Sequence, residues 1–209
     1  MSAEFLALAI LILLFSVIVH EVMHGLVALR FGDHTAENAG RLTLNPVPHI
    51  DLFGTILMPI LLFLGTHGQV VLGWAKPVPV NPLNFRNLRQ GELYVSAAGI
   101  LANLVLAILS AAIYHLLNNF YPQQLLLDLS NYAVHINLVL AVFNLLPIPP
   151  LDGSKVLMSQ LSYNAARQFQ KLESYGILIL LALLYFNVLS WILGLVLIPL
   201  YKLLNIPPF

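Results

Sequence analysis

The sequence of 209 residues contains no cysteine, and only 9% of its residues are charged. Without cysteine there can be no disulfide and no thiolate metal ligand, so any metal must be held by histidine and carboxylate side chains. Soluble domains carry about 25% charged residues, so this scarcity of charge argues against a water-soluble protein. The formal net charge is zero, and nothing in the charge pattern suggests a nucleic-acid partner.

Hydrophobic residues, in contrast, make up 59% of the chain, and the mean hydropathy is +0.87. Long apolar runs of this kind predict an all-α polytopic membrane protein in a lipid bilayer. We expect about five to six transmembrane helices in a single membrane-embedded domain that covers residues 1–209.

Two stretches interrupt the predicted helices. Residues 40–45 alternate between apolar and polar side chains, which predicts a short β-strand or hairpin. Such a strand could hold an extended peptide segment along its unpaired edge, or it could be a hairpin that only plugs a cavity. Residues 52–64 form an apolar run with Pro59 inside it, too short for an ordinary span, so a re-entrant or broken segment is predicted. The sequence leaves open whether residues 52–80 re-enter or cross twice.

The distribution of basic residues predicts the orientation. If residues 52–80 enter and leave the membrane on one face, seven basic residues share a side and only Lys202 lies opposite. The positive-inside rule makes that side cytoplasmic and places the N-terminus outside. We therefore expect a multi-pass protein of a prokaryotic cell (inner) membrane, with its active site toward the cytoplasmic face. The seven residues are Arg30, Arg41, Arg86, Arg89, Lys155, Arg167 and Lys171.

The first apolar run contains the motif His20-Glu21-Val22-Met23-His24. In a helix, His20 and His24 lie on one face, and two imidazoles with a Glu between them can bind zinc and supply a general base. The alternative is a pair of packing histidines beside an unrelated Glu21. Because ionisable groups are costly within hydrocarbon, the motif favours the zinc interpretation.

A catalytic zinc needs a third protein ligand and an open position for water. Asp152 follows a run of prolines and precedes Gly153, so it is displayed at a helix break. It could instead be the N-cap of the next helix. Spacing alone does not choose between Asp152 and a group of other candidates. These are Asp33, Glu37, His49 and Asp51.

The motifs together resemble the site-2 protease family of intramembrane zinc metalloproteases. The resemblance rests on the His20 to His24 motif and on three further stretches in the expected order, with a looser match at residues 98–103. The three stretches are GRLTLNPVPHID (residues 40–51), GWAKPVPVNP (73–82) and NLLPIPPLDG (144–153). Ile100 and Leu52 stand where the family often has proline. We expect no PDZ or CBS domain, so the chain resembles a minimal, core-only member.

The resemblance implies that His20, His24 and Asp152 bind one catalytic Zn²⁺ and that Glu21 is the catalytic base. It also implies that Asn144, in a supporting role, and Asn103 line the active site. For each asparagine the alternative is an ordinary interhelical hydrogen bond.

The expected function is that of an intramembrane endopeptidase, a hydrolase that cleaves a transmembrane segment of a single-pass membrane protein. Glu21 would assist the attack of zinc-bound water on the peptide bond. One alternative is a membrane zinc hydrolase of a lipid or small molecule. Another is a non-enzymatic metal transporter, which would need polar residues through the full membrane depth. The sequence leaves a homo-oligomer open.

Overall fold

The structure is a computed structural model that describes residues 2–65 and 75–209. Within these ranges every regular element is helical. Short 3₁₀ turns connect several of the α-helices, and one π-helical turn, Leu52–Leu57, precedes α3. The α-helices are α1 (Ala3–Arg30), α2 (Thr35–Asn38), α3 (Met58–Gly65), α4 (Leu88–Phe120), α5 (Gln124–Leu145), α6 (Asp152–Gln160), α7 (Tyr163–Gln170), α8 (Gly176–Tyr185) and α9 (Val188–Leu204).

Three helices of the described part, α1, α4 and α5, are each long and apolar enough to cross a membrane. They contain 28, 33 and 22 residues. At 1.5 Å per residue even α5 is about 33 Å long, which matches the hydrocarbon core of a bilayer at about 30 Å. Many large apolar side chains on these helices face outward, as a lipid environment requires.

Side-chain contacts give the directions of these helices. His20 of α1 meets Asn103 of α4, and His24 one turn later meets Val95, so α4 runs antiparallel to α1. The contacts between α1 and α5 progress in the same direction along both helices, so α5 runs parallel to α1. The rings of Phe5 and Tyr132 lie 6.0 Å apart between centroids. One further contact, between Ser16 and Asn137, follows deeper in the bundle.

A bent pair of helical segments forms a fourth candidate span. Residues 163–185 and α9 meet at an angle of 78°. Between them Asn187 adopts a left-handed backbone conformation, with φ of 56°, that asparagine tolerates better than most residues. Beyond α9, the ring of Phe209 stacks on Phe5 with 6.5 Å between centroids. The chain therefore returns to the end of the bundle where α1 begins.

The predicted number of spans is not confirmed within the described residues. The described residues contain three candidate spans, or up to four if the bent pair counts as one, instead of about five to six. The apolar run at residues 52–64 gives a π-helical turn and the eight-residue α3, which is too short to cross. The choice between re-entry and two crossings involves residues 66–74, outside the described residues.

The predicted strand also has to be corrected, because residues 40–45 form a turn and bends. Side chains here satisfy backbone groups that a neighbouring strand would otherwise bind. The imidazole of His49, fully buried, lies 2.9 Å from the carbonyl oxygen of Thr43. The guanidinium of Arg41 donates to the carbonyl oxygen of Lys76 at 2.7 Å. The alternating residues therefore form an irregular loop that is held by side-chain to backbone hydrogen bonds.

Candidate metal centre

The two histidines of the motif lie side by side on the buried face of α1. Their Nε2 atoms are 3.0 Å apart, because residues four apart in a helix are stacked one turn above the other. His20 and His24 are 7% and 9% exposed.

The other ring nitrogen of each histidine is held by α4. Nδ1 of His24 lies 2.7 Å from the carbonyl oxygen of Val95, which can only accept a hydrogen bond. This Nδ1 must therefore carry a hydrogen, and a neutral His24 then has a lone pair on Nε2. Nδ1 of His20 lies 2.6 Å from Oδ1 of Asn103. Metal-binding histidines commonly have such a partner, which fixes the tautomer and the ring orientation.

Asp152 completes the group from the opposite side. Its Oδ2 atom lies 3.1 Å from Nε2 of His20 and 3.1 Å from Nε2 of His24. The prolines after α5 end that helix, and Asp152 is the first residue of α6. Gly153 is required at the next position, because a Cβ there would collide with the carbonyl group of Leu145.

Helix α6 is anchored at its other end as well. The guanidinium of Arg89, at the start of α4, donates to the carbonyl oxygens of Ser159 and Gln160. Cations are favourable at a helix C-terminus, where carbonyl groups lack partners within the helix. Arg89 thus fixes the position of the helix that carries Asp152.

The three side chains fit a zinc ion. Oδ2 of Asp152 is buried and makes no hydrogen bond of normal geometry, although it lies close to both imidazoles. A cation, rather than a proton, would satisfy the three converging atoms together. Ligand atoms 2.0–2.2 Å from a tetrahedral zinc are about 3.3 to 3.6 Å apart, so small shifts of these side chains suffice. Among the described residues, these three form the group that could hold a metal.

The other candidate ligands lie elsewhere. Glu37 pairs with exposed His34, at 2.7 Å between Oε2 and Nδ1. His49 contributes to the loop described above, and Asp51 accepts a hydrogen bond from the backbone of Gly54 at 2.6 Å. Asp33 also binds loop residues. The structure therefore brings Asp152, and none of these four, to the histidine pair.

Gly99 of α4 lies directly against the two imidazoles. A Cβ at this position would lie 2.5 Å from Cε1 of His20 and 2.6 Å from Nε2 of His24. The close approach of α4 to α1 that gives Val95 and Asn103 their contacts therefore requires glycine here. The sequence analysis did not identify this role for Gly99.

Glu21 is half-buried and binds an extended segment. Its Oε2 atom accepts a hydrogen bond of 2.8 Å from the backbone N–H of Val78. Residues 77 and 79 are prolines, which have no N–H, so Val78 supplies the one backbone donor of this tripeptide. The side chain of Val78 is buried, and it packs where a Cβ of Gly25 would lie.

Asp33 holds the chain that follows this segment. Its carboxylate, fully buried, accepts hydrogen bonds from the backbone N–H of Asn81 at 2.7 Å and the side chain of Asn84 at 2.8 Å. Burial alone would raise the pKa of Asp33. Hydrogen bonds from Thr35, Asn81 and Asn84 outweigh this effect and hold the pKa below its ordinary value. The hydrogen bond from Arg41 to Lys76 and those to Asp33 therefore fix residues 76–84 on both sides of Val78.

The two predicted asparagines differ in their surroundings. Asn144 is half-buried near the end of α5, and its amide donates to the carbonyl oxygen of Leu140 at 3.0 Å. Asn103 is fully buried and contacts His20, Asn137 and the backbone of Ser16. Sequence reasoning missed Asn137 and Ser16. The available signal was a polar side chain in an apolar helix and, for Ser16, its position one turn before His20.

The geometry defines the class of this site. Two histidines one helical turn apart, a Glu between them and an Asp from another helix are the components of a hydrolytic zinc centre with one coordination position left open.

Comparison with known proteins identifies the family. The profile of Peptidase family M50 matches residues 119–186. The candidate zinc metalloprotease YwhC of Bacillus subtilis is 36% identical over 190 residues, which cover 88% of this chain and 83% of YwhC. The chain therefore belongs to peptidase family M50, the site-2 protease family. It is a zinc metalloprotease with a membrane-embedded helical fold, and Zn²⁺ is its cofactor.

Candidate zinc metalloproteases named Rip2 are also similar. The protein of Mycolicibacterium smegmatis is 33% identical over 82% of this chain and 64% of its own length. That of Mycobacterium tuberculosis (strain H37Rv) is 33% identical over 88% of this chain and 69% of its own length. No solved structure matches the chain at a significant level.

Replacing Gly99 by alanine should weaken the metal site. The added methyl group would push both imidazoles out of position, and overpacking typically costs about 1–3 kcal/mol. We expect zinc affinity, measured by competition with a chelator on the purified protein, to fall about tenfold or more. Gly194→Ala is the control, because nothing lies within 4 Å of a Cβ there. Equal zinc affinities for the two variants would contradict this role of Gly99.

Proposed function

We propose that the protein is an intramembrane endopeptidase that hydrolyses a peptide bond within a transmembrane segment of a single-pass membrane protein. The observation that carries this proposal is the position of the His20, His24 and Asp152 group along α1. His20 lies about 26 Å along the helix from Ala3 and about 15 Å before Arg30. A site at this depth in a membrane-spanning helix is within reach of a substrate's transmembrane segment, nearer to one face.

In this proposal His20, His24 and Asp152 bind the catalytic zinc. When bound, zinc lowers the pKa of a water molecule and polarises the scissile carbonyl group. The three ligands come from α1 and α6, and α4 supports them through Val95, Asn103 and Arg89.

Glu21 is the proposed general base. Its carboxylate takes the proton from the attacking water and passes it to the nitrogen of the leaving amine. The backbone N–H of Val78 donates a hydrogen bond of 2.8 Å to Oε2 and thereby orients this carboxylate. Because Asp33 and Arg41 fix the chain on both sides of Val78, they support Glu21 indirectly.

Asn144 is proposed to support the reaction by donating to the substrate carbonyl group. It lies in the last turn of α5, just before the prolines that lead to Asp152, and it is half-buried. Its present hydrogen bond lies within its own helix, to Leu140. A bond of that kind can be exchanged for one to a substrate without separating any two helices.

The relatives favour peptide hydrolysis over the two other candidate functions. They are named as zinc metalloproteases, which speaks against a lipid hydrolase and against a metal transporter. The polar residues deeper in the bundle, Ser16, Asn103 and Asn137, are buried and bound to one another. They are therefore unsuited to form an open path for an ion.

The proposed partners are a single-pass membrane protein as substrate and the lipid bilayer, with a homo-oligomer left open and no nucleic acid. The proposed location is a prokaryotic cell (inner) membrane, in line with relatives from bacteria. Basic residues cluster where α1 ends, where α4 begins and in α6 and α7, which supports a cytoplasmic face at that end of the bundle. The N-terminus would then lie outside.

Glu21→Gln should abolish cleavage and retain zinc, because the amide cannot accept a proton and none of the metal ligands is changed. The measurement has two parts: zinc content of the purified protein, and mass spectrometry of new chain ends in membranes of cells that express either form. We expect ends inside transmembrane segments with the wild type only. Glu37→Gln, a change at an exposed residue, is the control. Cleavage that persists in Glu21→Gln would overturn the proposed mechanism.

The absence of native cysteine permits a direct test of orientation with single-cysteine variants. Gln123→Cys lies in the connection from α4 to α5, and Asn164→Cys lies on α7; both positions are exposed. In intact cells, a membrane-impermeant maleimide should label Gln123→Cys, and Asn164→Cys should react only after permeabilisation. The reverse pattern would show that the active site faces outward.

A further inference from the structure

A chain of buried hydrogen bonds connects His20 with α5. It consists of Asn103 on α4, Asn137 on α5 and Ser16 on α1, which are 0%, 2% and 1% exposed. These side chains do not contact the position where zinc and substrate would meet, so the mechanism proposed above gives Asn137 and Ser16 no role.

The direction of this chain is fixed by backbone groups. Nδ2 of Asn137 lies 2.9 Å from the carbonyl oxygen of Ala133, which can only accept, so the amide nitrogen must face that way. The same nitrogen donates to Oγ of Ser16 at 2.9 Å. Ser16 can accept this bond because its own hydrogen goes to the carbonyl oxygen of Ile12 at 2.8 Å.

With its nitrogen turned toward Ala133, Asn137 presents Oδ1 to α4. Nδ2 of Asn103 donates to this oxygen at 2.9 Å, and it also lies 3.4 Å from the carbonyl oxygen of Ser16. A rotation of the Asn103 amide by 180° would place its Oδ1 atom against Oδ1 of Asn137 and near the carbonyl oxygen of Ser16, where no donor is available. Oδ1 of Asn103 is therefore left facing Nδ1 of His20 at 2.6 Å.

The final step concerns the tautomer of His20. Because Oδ1 of Asn103 only accepts, Nδ1 of His20 carries the hydrogen and Nε2 keeps the lone pair that a metal needs. A reversed Asn103 amide would require the opposite tautomer, in which Nε2 is protonated and cannot bind zinc. The orientation of an amide on α5 is thus transmitted to a metal ligand on α1.

We infer that Asn137 and Ser16 are positioning residues that fix the Asn103 amide and thereby hold His20 in its zinc-binding tautomer. The inference rests on the proposed metal site. It assigns Asn103 to the support of His20, in place of the substrate contact that the family resemblance implied. It also explains why three polar side chains are buried where α1, α4 and α5 meet.

The test is a double-mutant cycle on zinc affinity, which is measured by chelator competition on the purified full-length protein and needs no substrate. Asn137→Leu removes the acceptor of the Asn103 amide at similar volume. We expect zinc affinity to fall about tenfold, because loss of such supporting partners typically costs 10–100-fold. Asn103→Leu, which leaves His20 without its partner, should cost at least as much.

The second arm of the cycle uses Asn103→Asp. A carboxylate accepts hydrogen bonds on both oxygens, so it satisfies Nδ1 of His20 in either orientation. Its second oxygen replaces the donor that faces Oδ1 of Asn137, so zinc affinity should fall somewhat, but less than in Asn103→Leu. Adding Asn137→Leu should then cost less than about threefold, because no amide remains to be oriented. A role in packing alone would give the same loss in both backgrounds.

Ser130→Ala is the control, because Ser130 is a buried polar residue of α5 that bonds only within its own helix. It should leave zinc affinity unchanged. Unchanged affinity in Asn137→Leu, or an equal loss with Asn103 and with Asp at position 103, would overturn the inference and leave the proposed protease function intact. A wild-type protein that does not bind zinc would overturn the metal site and the inference together.

Discussion

Two imidazole nitrogens and one carboxylate oxygen meet in the interior of this helix bundle, within 3.1 Å of one another. In a membrane-embedded protein such groups must be satisfied internally, since unsatisfied polar groups are costly where no water can reach them. The hydrogens on the far sides of both rings are held by α4. A cation is the partner that satisfies all three atoms, and the arrangement of the surrounding helices follows from this requirement.

Helix α1 supplies two of the proposed ligands and the proposed base, but it cannot hold them in place alone. Helix α4 approaches closely enough to fix both rings only because residue 99 is glycine. Asp33 and Arg41 hold residues 76–84, which bring the Val78 N–H to Glu21, and Arg89 anchors the helix that presents Asp152. Polar contacts thus concentrate around the site, while the outer surfaces of the long helices are apolar.

The sequence was sufficient to identify the motifs of the candidate site, but it did not predict the contacts between helices. His20 and His24 carry a strong local signal, whereas Asp152 was selected by the family resemblance, and the structure brings the three together. The prediction of a strand at residues 40–45 was wrong, because alternation does not show whether a partner strand exists. Here the side chain of His49 binds Thr43, and that of Arg41 binds Lys76. The predicted count of five to six spans is not confirmed among the described residues, because hydropathy does not show that residues 52–65 form a π-helical turn and a short helix. Asn137 was missed because its role depends on a neighbour 34 residues away.

The central claim is that one zinc is bound by His20, His24 and Asp152, and the most direct measurement is X-ray absorption at the zinc edge of the purified, zinc-loaded protein. The account predicts one zinc per chain with nitrogen and oxygen donors at about 2.0–2.2 Å. The outer-shell scattering should correspond to two imidazole rings. A spectrum with one imidazole, or with three or more, would contradict the ligand set, as would a protein that binds no zinc.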